Sequence, residues 1–182
     1  MMNPAANALR SFILRLKGGR AAPPRADFRD IAWSGLGGMV AIGLVALLTL
    51  KTGVPAVMAP LGASCFLVFA APDSPFAQPR NVIGGHLVSS LVGLLLYAAL
   101  GSGWWVMALA VGLAIIAMQL SRTGHPPAGA DPLVVLAIHP DWMFLITPVL
   151  LGTQVVVGTA VLFNNPQNVW RNGDEYLDDS DA

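Results

Sequence analysis

GHPPAGADP, residues 124–132, stands between the apolar runs Trp104 to Leu120 and Trp142 to Phe163, and the architecture turns on why it is there. Paired prolines lack the amides that a helix needs, and each glycine costs about 1 kcal/mol of helix propensity. The flanking runs are nevertheless long enough to cross a bilayer core. Irregular backbone facing lipid would leave amides and carbonyls unsatisfied, at a cost on the order of several kcal/mol each. The peptide must therefore be enclosed by protein. The expected fold is an all-α polytopic membrane protein with a broken segment inside it.

Composition points the same way. The 182 residues are 55% hydrophobic and 11% charged, against about a quarter charged in soluble domains. Six of the ten basic residues precede Ile31 and five of the ten acidic residues follow Gly173, so the charge sits at the ends. A net charge of zero with so few cations predicts no nucleic-acid partner. No cleavable signal is visible, because the first long apolar run starts only at Ile31 and lacks a small-residue cleavage site. The lone Cys65 lies in an apolar stretch and reads as a structural thiol.

Residues 1–30 form a basic segment, with Leu9, Phe12, Ile13 and Leu16 at the spacing of an amphipathic surface helix, then a juxtamembrane linker. Residues 31–163 form the transmembrane domain, and 164–182 an acidic tail. Four full transmembrane helices are expected at Ile31 to Leu50, Val82 to Leu100, Trp104 to Leu120 and Trp142 to Phe163. Trp33, Trp104, Trp105, Trp142 and Trp170 fall near segment ends, where aromatic rings favour the interface. Two shorter runs, Val57 to Ala71 and Leu133 to His139, are too short or too proline-broken to be ordinary spans and read as half-helices.

The two half-helices resemble each other. PLGASCFLVFA (60–70) aligns without gaps on PAGADPLVVLA (127–137), with Pro, Gly, Ala, Val and Ala identical. This predicts a two-fold internal repeat, residues 31–100 and 104–163, each long, broken, long. If the broken segments cross, the second copy is inverted, a 3+3 arrangement; if they re-enter, the copies are parallel. With a cytoplasmic N-terminus, six crossings put Arg80, Arg122 and Arg171 inside and Lys51 outside, which the positive-inside rule favours. The expected location is the cell inner membrane, with both termini cytoplasmic.

GHPPAGA (124–130), APLGAS (59–64) and SPFAQPRNVIGGHL (74–87) together resemble the HPP family of small integral membrane proteins, over residues 31–163. The resemblance implies transport of nitrite, the function associated with members in chloroplasts and cyanobacteria; bacterial members need not share the substrate. The family is described as having four transmembrane helices, from which six crossings would depart.

A helix that begins inside the bilayer presents free amides and a positive dipole end to an anion. Pro60 and Pro127 sit where first turns would begin, and Gly62 and Gly129 leave the amides uncovered. Nitrite or nitrate is expected between two opposed starts near the midplane, bound by Gly62, Ala63, Ser64, Arg122, His125, Pro127, Gly129 and Ala130. Asp131, Arg80 and His86 are candidates for gating or coupling: Asp131 as a proton carrier or the salt-bridge partner of Arg80 or Arg122, His86 more simply as a packing histidine. Asp73 and Asp141 follow prolines and read as caps or turns. No cofactor, metal or enzymatic reaction is expected. A metal transporter using His86, His125, His139 and Asp131 lacks a recurring ligand spacing, and Ser64 or Cys65 with a distant histidine is a weak basis for a nucleophile. A non-transporting membrane anchor or sensory module is the competing reading. Glycines at 35, 37, 38 and 43 on the first span and at 152 and 158 on the last suit close helix packing and a homo-oligomer, dimer or trimer.

Overall fold

A computed structural model describes residues 10–14, 24–53 and 56–164. Among them every regular element is helical. Helix α1 is described over residues 10–14 and exposed. The remainder of the expected amphipathic segment, Pro55 and the tail after Asn164 lie outside the described residues. Then come α2 (Phe28–Thr52), α3 (Ala59–Ala70), a 3-10 turn (Pro75–Ala77) and α4 (Pro79–Leu100). α5 (Trp104–Leu120), a second 3-10 turn (Pro126–Ala130), α6 (Asp131–Ile138) and a final segment ending in α7 (Leu151–Asn164) complete the chain.

Three segments are long and apolar enough to cross a membrane: Phe28–Thr52, Pro79–Leu100 and Trp142–Asn164. α5 has 17 residues, about 26 Å of helix, and is shorter than those three. The last segment is not the single helix that its sequence suggested. It runs through a 3-10 turn (Trp142–Leu145) and a π turn (Ile146–Leu150), with Thr147 extended at φ −133° and ψ 120°, before α7 begins. Pro148 explains the break, since proline disfavours a helical conformation in the residue before it.

Proline also shifts the second half-helix from its expected start. The α-helix begins at Asp131, with Pro132 in its first turn, and Pro126–Ala130 is the tighter 3-10 form. Pro127 therefore does not open the α-helix. Pro60 does open α3.

Chain direction alternates from element to element. Phe69, late in α3, accepts a hydrogen bond through its carbonyl from Ser34, early in α2; α3 therefore runs back along α2 instead of returning to the side where α2 ends. Phe163 at the end of α7 stacks on Trp33 and Phe69, while Gly152 at its start meets Leu61 and the Ala56 carbonyl. α7 is thus parallel to α3. α6 runs with α4: Asp131 bonds His86, Pro132 packs on Gly93, and His139 stacks on Tyr97. Arg80 at the start of α4 donates to the carbonyl of Arg122 just after α5, which brings those two ends together.

Large apolar side chains face outward, among them Leu50, Phe66, Trp104 and Leu120, the surface suited to lipid. Inside, Val45, Leu61, Val68, Val149 and Val156 pack among α2, α3 and α7, and Val106, Ala110 and Leu136 between α5 and α6. Glycine permits the closest approaches. A Cβ at Gly37 would lie 2.5 Å from Phe69, and one at Gly152 2.7 Å from Leu61. Sequence reading overlooked a second close seam, along α4: a Cβ at Gly85 would fall 2.7 Å from that of His125 and 2.8 Å from the Thr123 carbonyl, and one at Gly93 2.9 Å from Cα of Pro132. Gly35, Gly43 and Gly158, expected to support packing, face open space.

Candidate functional site

Burying polar groups in an apolar fold is tolerable only when they bond one another. Here a set of them is gathered where the starts of α3 and α6 meet on α4. Ser64, His86, Ser89, Ser90, His125 and Asp131 are all essentially inaccessible.

His86 is the hub. The hydroxyl of Ser64 lies 2.8 Å from Nε2 of His86, and Oδ2 of Asp131 lies 2.8 Å from its Nδ1. The two ring nitrogens thus hold the two half-helices together. Ser64 is also 2.8 Å from Nε2 of His125, whose Nδ1 is 2.8 Å from the Phe76 carbonyl. The two imidazoles are tilted with centroids 5.1 Å apart. Ser90 donates to Oδ2 of Asp131 at 3.1 Å, and Ser89 to the Ala128 carbonyl at 2.6 Å. Oδ1 of Asp131 is the buried side-chain polar atom, among the described residues, with no partner.

Local sequence explains this convergence. His86 and Ser90 are one helical turn apart and share a face of α4; Gly85 beside them admits the backbone at 123–125. His125 is extended, at φ −139° and ψ 101°, as a residue before proline must be, and its ring is thereby aimed back at Phe76 and Ser64. His86 lies seven residues into α4, about 10 Å from its start, and Ser89 and Ser90 lie at its midpoint, so the network occupies the middle of that helix and the turn before it.

The other candidate residues separate into two groups. Gly62 and Gly129 face open space, and with Ala63 and Ala130 they are on the outer side of the half-helices. An open, apolar cleft of about 520 Å³ is lined by Ala59, Pro60 and Ala63 of α3, by Pro126, Pro127 and Ala130 of the turn, and by Leu133, Val134 and Ala137 of α6. Arg80 and Arg122 are exposed and joined to each other, not to Asp131; the carboxylate has His86 as its partner instead. Asp141 caps the turn after it through Met143, and Asp73 lies in a turn. Cys65 is buried beside Ser64.

His86 is among the gating or coupling candidates, with packing as the simpler reading; the sequence does not reveal that it joins the two short helices, nor that the two serines following it share the network. The spacing of His86 and Ser90 was available as a signal, as was the alignment that puts Ser64 opposite Asp131.

Residues 23–172 match the family described as HPP, transmembrane region. The chain belongs to the HPP family. Two transmembrane proteins of Dictyostelium discoideum are similar to it: one is 36% identical over 166 residues, 85% of this chain and 53% of its own length, and the other 36% identical over 155 residues, 79% and 54% respectively. This HPP chain spans about half the length of those relatives. No solved structure gives a significant match.

Ser64, His86 and Asp131 have the connectivity of a serine-nucleophile triad. The serine, however, is fully buried and also held by a second histidine, so nothing presents its oxygen to a substrate. Among the described residues no group of three or more His, Cys, Asp or Glu is arranged to hold a metal ion. The arrangement is suited to holding and passing protons, and to offering N–H and O–H donors where two helices begin.

Proposed function

We propose that this HPP protein carries a small inorganic anion, nitrite or nitrate, across the membrane. The observation that carries the reading is the meeting of the two half-helix starts, with Ser64 of one and Asp131 of the other on opposite nitrogens of a single buried histidine. The HPP resemblance supplies the substrate class. Removing an anion from water costs several kcal/mol even after relaxation. A helix terminus returns roughly 0.3 to 2 kcal/mol and a charge-assisted hydrogen bond about 1.5 to 3 kcal/mol, so two starts plus two or three donors balance the loss without trapping the ion.

In this reading the amides around Gly62, Ala63, Gly129 and Ala130 line the path and supply its donors, Ser64 and His125 hold the two helix starts in place from the buried side, and Pro127 keeps the turn open. Arg80 and Arg122 gather anions at the mouth. The two halves, residues 31–100 and 104–163, are read as an inverted 3+3 repeat, a reading that the alternating chain direction supports. The termini are cytoplasmic, the membrane is the inner one, and Gly35, Gly43 and Gly158 face a second copy of the chain.

Purified protein in liposomes tests this with a panel of anions. Nitrite or nitrate uptake above that of empty liposomes is expected. Gly129→Val should remain folded, since its side chain enters open space, and should lose uptake. Equal uptake by protein-containing and empty liposomes would leave the protein a membrane anchor or sensory module.

A further inference from the structure

We propose that Asp131, His86, Ser64 and His125 form a buried relay that passes one proton between the carboxyl group at the start of α6 and the imidazole against the Phe76 carbonyl. The relay stands on a count of donors and acceptors and does not require the anion reading.

A backbone carbonyl only accepts. The 2.8 Å contact to Phe76 therefore keeps a hydrogen on Nδ1 of His125 for as long as the contact is made, and a proton leaves the relay from His125 only when that contact opens. With that end fixed, three arrangements of equal net charge satisfy every contact in the chain: an ion pair of the Asp131 carboxylate with a doubly protonated His86, whose Nε2–H donates to a Ser64 that donates in turn to neutral His125, and the two that lie on either side of it. In the first of those two, Asp131 is protonated on Oδ2 and donates to Nδ1 of His86; Nε2–H of His86 donates to Ser64; the Ser64 hydroxyl donates to Nε2 of a neutral His125. In the second, Asp131 is a carboxylate accepting from Nδ1–H of His86, Ser64 donates to Nε2 of His86, and His125, now a cation, donates from Nε2 to Ser64.

Three hydrogens each cross one bond between the first and the second. O–H breaks at Asp131 as N–H forms at Nδ1 of His86; N–H breaks at Nε2 of His86 as O–H forms at Ser64; the former O–H of Ser64 breaks as N–H forms at Nε2 of His125. One proton has left Asp131 and one has reached His125. No heavy atom moves, nothing is oxidised or reduced, and the network keeps zero net charge throughout. Ser90 donates to Oδ2 in all three arrangements.

Oδ1 of Asp131 fits the loading end, being buried and unpartnered. Rotating the Ser64 hydrogen to the Pro60 carbonyl, 3.2 Å away, lets both imidazoles donate to Ser64 and gives a second proton a place. The other titratable groups on the surrounding elements are Cys65 on α3, Arg80 and Tyr97 on α4, Arg122 after α5, His139 and Asp141 after α6, and Asp73 before α4. Arg80 is engaged with the Arg122 carbonyl and His139 with Tyr97, and none of these seven hydrogen-bonds to a relay side chain. On the anion reading, the second arrangement puts a positive charge on His125, next to Pro126 of the cleft.

The test uses the full chain in liposomes that contain a pH-sensitive dye, under a potassium diffusion potential, with and without external nitrite; nitrite uptake is measured separately. Wild type should take up protons, and Ser64→Ala should reduce that uptake about a hundredfold, the scale of a lost proton-transfer step. Asp131→Asn, whose amide donates to Nδ1 of His86 and preserves the shape of the bond, should lose proton uptake equally, while Ser64→Thr, which keeps the hydroxyl, should retain it. Proton uptake without nitrite transport would support the relay and sink the anion reading. Nitrite transport without protons, undiminished proton uptake in Ser64→Ala and Asp131→Asn, or no proton uptake by wild type in either condition would overturn the relay.

Discussion

The two half-helix starts begin with the same pattern, Pro-x-Gly-Ala, and then diverge at one position: Ser64 follows in the first, Asp131 in the second. The first continues as an unbroken helix of 12 residues. The second spends five residues in a 3-10 turn before an α-helix of eight. The reason is two further prolines, Pro126 and Pro132, in whose matching places α3 has Ala59 and Cys65. Both divergent side chains are nevertheless fully buried and bonded to His86. The hydroxyl can donate and accept at once, whereas the carboxyl group can change charge. A buried pair composed of two hydroxyls could pass hydrogen bonds but supply no ionisable end; two carboxylates would repel. One of each gives a bridge that is satisfied in more than one protonation state.

Removing the hub should separate the two regions most. His86→Ala leaves Asp131 buried without its main partner and opens a cavity, and should destabilise the protein by about 3 to 5 kcal/mol, the cost of breaking a buried pair; a thermal unfolding scan in nanodiscs reads this as a large fall in midpoint. Gly93→Val acts on the α6 side alone, driving a side chain into the backbone of Pro132. Overpacking of this kind costs about 1 to 3 kcal/mol, and hydrogen exchange should rise at 126–138 more than at 59–70.

On the α3 side, Ser64→Ala removes one hydroxyl from between two imidazoles and should cost about 1 to 2 kcal/mol, measured in the same scan. Smallest of all is Gly62→Ala, whose new methyl meets nothing within 4 Å; a change within about 0.5 kcal/mol is expected, and a large loss would mean that this face is covered in the assembled protein.

Sequence patterning located the long apolar segments within a few residues because bilayer thickness imposes a length that composition reveals directly. Trp104–Leu120 appears with the bounds expected of it. The two short segments were legible for a different reason: proline and glycine at fixed offsets leave few places where a helix can begin. Pro148 carried the same kind of signal, but surrounded by Ile146, Val149, Leu150 and Leu151 it is outweighed in any reading based on hydropathy alone. In the site, His125, Ser64 and Asp131 were identifiable from their positions beside the breaks. His86 was a candidate as well, but its place between Ser64 and Asp131 was not legible, because those partners are 22 and 45 positions away and only the close approach at Gly85 and Gly93 brings them to one helix face.

The claim on which the account depends is that Ser64 and Asp131 act on each other through His86. A double-mutant cycle on unfolding stability, built from Ser64→Ala, Asp131→Asn and their combination in full-length protein in nanodiscs, tests it most directly. The account predicts that the two effects fail to add, with a coupling of about 0.5 to 3 kcal/mol, as for residues within one hydrogen-bonded network. Costs that sum to within about 0.3 kcal/mol, as independent sites do, would contradict it.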